Sequence, residues 1–318
     1  MEKIRIHSFA DILAFTFAGN ATITLESAKT GRADTIRVRV VKPGEERGPY
    51  DLIYVTLKSH QLPEAATHVR GLGGKDAIYV FPQNGIPWWN FDAIESRYKG
   101  TRLKTLDPDG VLSRTFSAEQ IIGGVAFKPT DLVAPAHIKL ADNAADSLTI
   151  GEINNRMTDR LQAIAKITTH AGWTGTPVED IRKVKWTKLL SNAVWNTLGV
   201  VAQATPKDAA SFPQTGALAA AMIREVAALA TATGTPMQVD ADKIVADTTK
   251  RVGLPTSTLQ DARNGRSLEL DALINVLLEM SALTGVATPN LAVIAACANF
   301  VNQCVIANGF AVKPVKVG

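Results

Sequence analysis

The chain has 318 residues, 46% of them hydrophobic and 20% charged, with 34 Lys and Arg against 30 Asp and Glu. That balance suits one large or two ordinary globular domains with a sizeable core. Net charge is +4 with the basic residues scattered, so no run follows a nucleic-acid backbone and nucleic acid is excluded as a partner. Cys297 and Cys304 are the only cysteines. They fall in an apolar, helix-like stretch, give no disulfide framework or metal spacing, and fit a reducing, cytoplasmic setting. No uninterrupted apolar run reaches the roughly 18 residues of a membrane span, so no membrane partner is expected.

The opening, Lys3 to Ala21, loosely imitates a secretory signal, but Asp11 interrupts its apolar part and a strand followed by a helix describes it better. Asp51–Leu57 is an apolar, β-branched run of strand length. Pro63–Arg70 reads as a short helix closed by Gly71, and Asp76–Phe81 as the next strand. Segments 123–127, 136–140 and 147–150 read as further strands, some of them antiparallel. A helix is expected over 156–170 and an extended piece over 174–178. Short buried strands alternating with helices indicate a mostly parallel sheet. From about Asp180 the pattern is helical, broken at Pro206, Pro213, Gly234, Gly253-Leu-Pro255, Gly265 and Gly285. The expected class is α/β, a Rossmann-like N-terminal domain (1–178) followed by an all-helical domain (179–318).

Lys188, Asn192 and Asn196 stand at i, i+4 and i+8, along one drifting stripe of a helix. A solvated polar stripe is the ordinary explanation of such spacing. Asn is a poor helix former, however, and two of them beside a lysine suit a lysine aimed at a polar substrate. An ammonium there can protonate a carbonyl oxygen as it becomes an alkoxide, and partial burial eases the transfer. Further on, Ser257 and Gln260 have the spacing of a capping box, and Glu269 and Asp271 that of acids in a first helical turn. Lys58 and Asn84 follow two strands, at the sheet ends where open α/β folds bind ligands; alone, they read as a solvated lysine and an Asn-Gly turn.

Three stretches together resemble the ketopantoate reductase family. Val184-Lys-Trp-Thr-Lys-Leu-Leu-Ser-Asn-Ala-Val-Trp-Asn196 resembles its W-x-K-L-x-x-N-x-x-x-N. Ser257-Thr-Leu-Gln-Asp-Ala-Arg-Asn-Gly-Arg-Ser-Leu-Glu-Leu-Asp271 resembles S-M-L-Q-D-x-x-x-G-R-x-x-E-I-D. Gly285-Val-Ala-Thr-Pro289 resembles G-V-x-T-P. The family also has V-K and Q-N-G at the places of Lys58 and Asn84. The resemblance covers about 51–289 and implies NADPH-dependent reduction of a 2-keto acid, 2-dehydropantoate, by a homodimer. It makes Lys188 the general acid and has Glu269 hold the substrate's distal hydroxyl. Ser257 then takes the carboxylate, Asn192 and Asn196 orient the substrate, and Lys58 and Asn84 line the meeting place of nicotinamide and substrate. Trp88 and Trp89, an extension of this family pattern, either shape the pocket or pack between domains.

The family's opening G-x-G-x-x-G is not present. Ser8, Ala10 and Leu13 replace its glycines in the simplest alignment, which places Ser8 and Ala10 at the cofactor loop. Alanine adds a methyl where phosphate approaches, and Asp11 adds negative charge. Two arrangements of the next segment stand open. In one, 20–26 is the second Rossmann strand and Glu26 faces a ribose. In the other, that strand is missing and 22–41 is a later hairpin. Gly71-Leu-Gly-Gly-Lys75 resembles a phosphate loop, but it follows a helix and precedes a strand, the reverse of the required order. A non-catalytic relative that keeps the pocket without a dinucleotide is the rival to catalysis.

Overall fold

A computed structural model describes residues 19–41, 44–128, 130–140 and 146–311. The chain divides into two units, one of residues 1–84, 88–102 and 109–184, the other of 85–87, 103–108 and 185–318.

The first unit opens on β1 (Gly19–Ser27) and β2 (Ala33–Val40), then β3 (Tyr50–Tyr54), α1 (Leu62–Gly71) and β4 (Gly73–Phe81). A long irregular stretch follows, then α2 (Val111–Thr115), β5 (Ile121–Phe127), β6 (Thr130–Ala134) and β7 (His137–Leu140). β8 (Ser147–Glu152), α3 (Asp159–His170) and β9 (Thr174–Pro177) complete the unit. Five strands form the main sheet in the order β3-β4-β5-β8-β9. All its pairings are parallel except β5 with β8. The sheet is thus mostly parallel, as the alternation of strands and helices indicated, and the one antiparallel pairing makes it mixed. Strands buried on both faces read as continuous apolar runs. β5 obeys this rule, with Ile121 to Val125 all buried.

α3 packs Leu161, Ile164 and Ala165 on Val80, Ile122, Leu148 and Ile150. Glycine makes the other close approaches possible. A Cβ at Gly123 would stand 2.6 Å from the Trp89 ring, and one at Gly151 would stand 2.7 Å from the Ile181 Cβ. The strand expected over 51–57 ends at Tyr54 because a side chain takes over its ladder: Gln83 Nε2 donates to the carbonyls of Val55 and Leu57, at 2.6 and 2.9 Å. α3 starts at Asp159 rather than near 156, since the Thr158 hydroxyl caps it by accepting from the Leu161 N–H.

Between the two arrangements of the N-terminal region the structure chooses the hairpin. β1 and β2 pair antiparallel, and with β6 and β7 they make a separate four-stranded sheet, β2-β1-β7-β6. Glu26 is engaged within that sheet. His137 Nε2 and Lys139 Nζ hold its carboxylate at 2.8 and 3.3 Å and keep its pKa below the ordinary value. Ser8, Ala10 and Leu13 lie outside the described residues. Gly71–Lys75 ends α1 and starts β4, so it forms no phosphate loop.

α4 (Ile181–Ala202) begins in the first unit and continues into the second. The second unit adds α5 (Pro206–Ser211), α6 (Pro213–Ala232), α7 (Ala241–Thr249) and α8 (Ser257–Arg263). A π turn (Asp271–Asn275) then runs into α9 (Val276–Thr284), and α10 (Pro289–Asn308) follows. Pro206 and Pro213 occupy first helical positions, and Gly285 ends α9 in the left-handed conformation. Two acids accept from pairs of backbone N–H groups. Glu225 accepts from the N–H groups of Asn290 and Leu291 at the start of α10, and Glu279 from those of Lys104 and Thr105.

Among the described residues α6 and α10 are long and apolar enough to cross a membrane, which a count of uninterrupted apolar runs misses. α6 is a core helix, with Met222, Ile223, Val226 and Leu229 fully buried. α10 is mostly exposed, with 28% of its apolar window buried.

Candidate active site

α4 carries the polar residues of the site on a helix anchored by a broad apolar surface. Trp186, Leu189, Leu190, Ala193, Val194 and Trp195 are all buried and hold it in place. The polar stripe is not the solvated face that its spacing alone would suggest. Asn196 is 5% exposed, Lys185, one turn before Lys188, is 3% exposed, and Lys188 and Asn192 are half-buried.

Burial pushes the Lys188 ammonium down to about 8, against the opposing pull of the Glu269 carboxylate. Lys185 is pushed down to about 7, by burial first and then by the like charge of Lys188, with Glu269 again opposing. Lys185, Lys188 and Glu269 therefore form one electrostatic cluster within the second unit.

Glu269, 9% exposed, stands two residues before the π turn. The loop that delivers it is tied at both ends: Arg266 pairs with Asp261 at 3.4 Å, and the Leu268 N–H donates to Asn302 Oδ1 at 2.9 Å.

Ser257 is the exposed first residue of α8. The expected capping box between Ser257 and Gln260 is not formed. The cap is Thr256, whose hydroxyl accepts from the Leu259 N–H, so the helix starts one residue earlier than the box requires. Thr258 stands where the family pattern has methionine, and Asn196 Nδ2 donates to its hydroxyl at 3.0 Å. The two motifs are thereby joined through a residue that departs from the pattern.

In the first unit, Lys58 and Asn84 follow β3 and β4. The two Gln83 hydrogen bonds hold their segments together, and the Lys58 N–H donates to Gln61 Oε1 at 2.9 Å. Gly85, in the second unit, has φ +78°, and a Cβ there would stand 2.1 Å from the Ala272 carbonyl oxygen. The Asn-Gly pair is thus more than a turn signal, because only glycine allows this approach. Trp88 and Trp89 are interior packing. Trp88 lies edge-on to Phe81, 6.1 Å between centroids, and Trp89 covers Gly123.

Motif reading missed Gln83, Thr258, Lys185 and Arg182. The last, 3% exposed, donates to the backbone carbonyls of Asn90, Ile153 and Asp92. A lysine at i−3 from Lys188 and a Gln before Asn-Gly were visible as signals; the targets of Arg182, about 90 and 30 positions away, were not.

A mixed-sheet unit, a helical unit and a half-buried lysine near a carboxylate define a two-unit α/β protein with a candidate acid–base site. Residues 17–155 match the model of the ketopantoate reductase PanE/ApbA family, and 180–302 match that of its C-terminal domain. The chain belongs to the ketopantoate reductase family. Ser8 and Ala10 fall outside both matches.

A 2-dehydropantoate 2-reductase from Mesorhizobium japonicum is 29% identical over 267 residues, 84% of this chain and 81% of the relative. A crystal structure described as a ketopantoate reductase, from Ralstonia solanacearum, superposes with TM-score 0.83 at 28% identity, covering 92% of this chain and 88% of that one. A Staphylococcus aureus ketopantoate reductase described as dimeric shares the fold, with TM-score 0.70, 17% identity and coverages of 91% and 89%. The family's reaction class is 2-keto acid reduction with a nicotinamide dinucleotide.

Proposed function

We propose that this chain reduces 2-dehydropantoate, or a close 2-keto acid, with NADPH. The observation that carries this reading is the buried cluster of Lys188 and Glu269 on α4 and at the π turn. Lys188 donates its proton to the carbonyl oxygen as that oxygen becomes an alkoxide and is left as a neutral amine. Burial has already weakened its hold on that proton. Glu269 accepts from the substrate's distal hydroxyl, Ser257 takes the carboxylate and Asn192 orients the chain. Asn196 acts through Thr258, fixing the start of α8. NADPH, when bound, supplies hydride.

In this reading 1–178 is the dinucleotide domain, with Lys58 and Asn84 at the nicotinamide and Ser8 and Ala10 at the phosphates. Residues 179–318 bind substrate and pair the protomers of a homodimer. The polar Lys58 and Asn84 would serve the nicotinamide end of such a cofactor. They contain no strand, glycine loop and helix in sequence for its pyrophosphate.

The hairpin of β1 and β2 favours a second reading, a pocket protein that binds keto acid but no dinucleotide, because it takes Glu26 away from any ribose. Titration calorimetry with NADPH, followed by NADPH oxidation on adding 2-dehydropantoate, separates the two. Binding with turnover supports the reductase. A folded protein that binds neither NADPH nor NADH leaves the second reading.

The partner surface we assign to α10. Val293, Cys297 and Phe300 line one exposed face at i, i+4 and i+7, with Val293 63% and Phe300 67% exposed. No charged residue occurs from Pro289 to Asn308. A two-fold interface brings a patch against itself, and an uncharged patch does so without like-charge repulsion. Sedimentation is expected to show a dimer that Phe300→Glu converts to monomer. A native monomer, or native protein that partitions onto lipid vesicles instead, would overturn this assignment.

A further inference from the structure

Trp195 is 2% exposed, and its indole Nε1 is buried and donates to no acceptor among the described residues. A buried indole N–H ordinarily finds a partner, and one left without carries its full desolvation cost. Packing does not ask for that N–H, since a phenyl ring at the same place would bury its face with no donor to satisfy. A donor held ready for a ligand explains it.

Its place on α4 says which ligand. At 100° per residue Trp195 lies about 20° around the helix axis from Lys188 and two turns further on, whereas Trp186, Leu189, Leu190, Ala193 and Val194 lie about 100° or more away. Of these buried residues it is therefore the one on the polar stripe. Half-buried Asn192 is its i−3 neighbour, and helical side chains lean back toward the N-terminus, so the indole stands over the turn that carries the Asn192 amide. Asn196, next in the chain, donates from Nδ2 to Thr258 Oγ1 at 3.0 Å, with both side chains buried. That bond fixes the start of α8, where Ser257 stands, against the same turn of α4, and all these residues belong to the second unit. The stripe thus runs from the Lys188 ammonium past the Asn192 amide to an indole N–H, and its far end is the end beside Ser257.

We propose that the Trp195 indole N–H is a substrate-binding donor, taking the second carboxylate oxygen of the keto acid whose first oxygen Ser257 takes. The inference rests on the keto-acid reading of the site. A carboxylate is the acceptor that fits, because its two oxygens offer more lone pairs than one hydroxyl can satisfy and an ionised acceptor makes the stronger bond to a desolvated donor. Indole keeps its proton, so Trp195 takes no part in proton or hydride transfer. The carboxylate is also unchanged by the reaction. A bond to it is made alike to substrate and transition state, and it acts on affinity rather than on kcat.

The test compares two variants of the full chain. Trp195→Phe removes the N–H together with part of the ring. Trp195→benzothienylalanine puts sulfur in place of the N–H in a ring of nearly the same shape, which separates hydrogen bonding from packing. Calorimetric titration with 2-dehydropantoate, with and without NADPH, is expected to show binding about tenfold weaker in both variants. The benzothienyl variant should keep the native unfolding temperature, and its kcat should stay within about twofold of native. In the ¹⁵N-labelled native protein, which has five tryptophans, the indole resonance that Trp195→Phe deletes is expected to move downfield as 2-dehydropantoate saturates the site.

Native affinity in the benzothienyl variant would overturn the role of Trp195 while leaving the keto-acid reading intact. So would an indole resonance that stays in place at saturation. A folded chain that binds no 2-dehydropantoate would overturn both.

Discussion

Lys188→Ala is expected to lower kcat for 2-dehydropantoate reduction by a factor on the order of 10²–10⁴, the usual worth of a positioned general acid. The side chain is half-buried and shares its surroundings with a second ammonium. Removing it therefore relieves a like-charge contact and opens little core, so unfolding temperature and circular dichroism are expected to stay near native. Lys188→Arg should not restore the rate, because a guanidinium does not release its proton in the accessible range. The pH dependence follows from the direction of proton flow. Reduction needs Lys188 protonated, and its pKa is lowered to about 8. The rate should be level at lower pH and fall as pH rises through about 8, roughly tenfold per unit beyond it. An alanine variant that keeps more than about a tenth of the native rate would remove Lys188 from the chemistry.

The parts of this protein legible in its sequence are those fixed by local rules. Strand-length apolar runs gave β4, β5 and β8, and Pro and Gly gave the ends of α5, α6 and α9. The stripe of Lys188, Asn192 and Asn196 placed three polar groups on one helix, and the structure puts that helix where its spacing said. Spacing could not show that the stripe is buried. A lysine is ordinarily solvated, and only the cluster with Glu269, some 80 positions later, makes Lys185 an exception.

The misses share a cause, namely contacts set by tertiary structure. β3 stops early because Gln83 reaches back to its carbonyls, and α8 is capped by Thr256 because its start slips by one residue. The N-terminal ambiguity is of another kind. Alternating residues such as Thr22 to Leu25 fit any strand, and the choice of partner, β2 and β7, is a long-range fact.

Arg182→Ala is expected to cost on the order of 3–6 kcal/mol of stability, the largest structural effect of any single change proposed for this chain. The side chain lies at the start of α4, two turns before Lys188. It donates from Nε to the Asn90 carbonyl at 2.7 Å, and from its terminal nitrogens to those of Ile153 and Asp92 at 2.6 Å each. Its guanidinium carbon lies 5.3 Å from the centre of the Trp89 ring. Burial lowers its pKa to about 10, which still leaves it charged at neutral pH.

Charge-assisted bonds to carbonyls the protein has already desolvated are the costly kind to lose. Alanine strands those acceptors, the first two fully buried, each at about 1–3 kcal/mol. Lysine should rescue little, because one nitrogen cannot span acceptors that a planar fork reaches from both sides. The segment at 89–92 is irregular, so few backbone hydrogen bonds would remain to hold it. Urea denaturation of the native protein and both variants measures the effect. A midpoint for Arg182→Ala within about 1 kcal/mol of native would show that water or a neighbouring donor replaces the guanidinium, and that Arg182 does not anchor this end of α4.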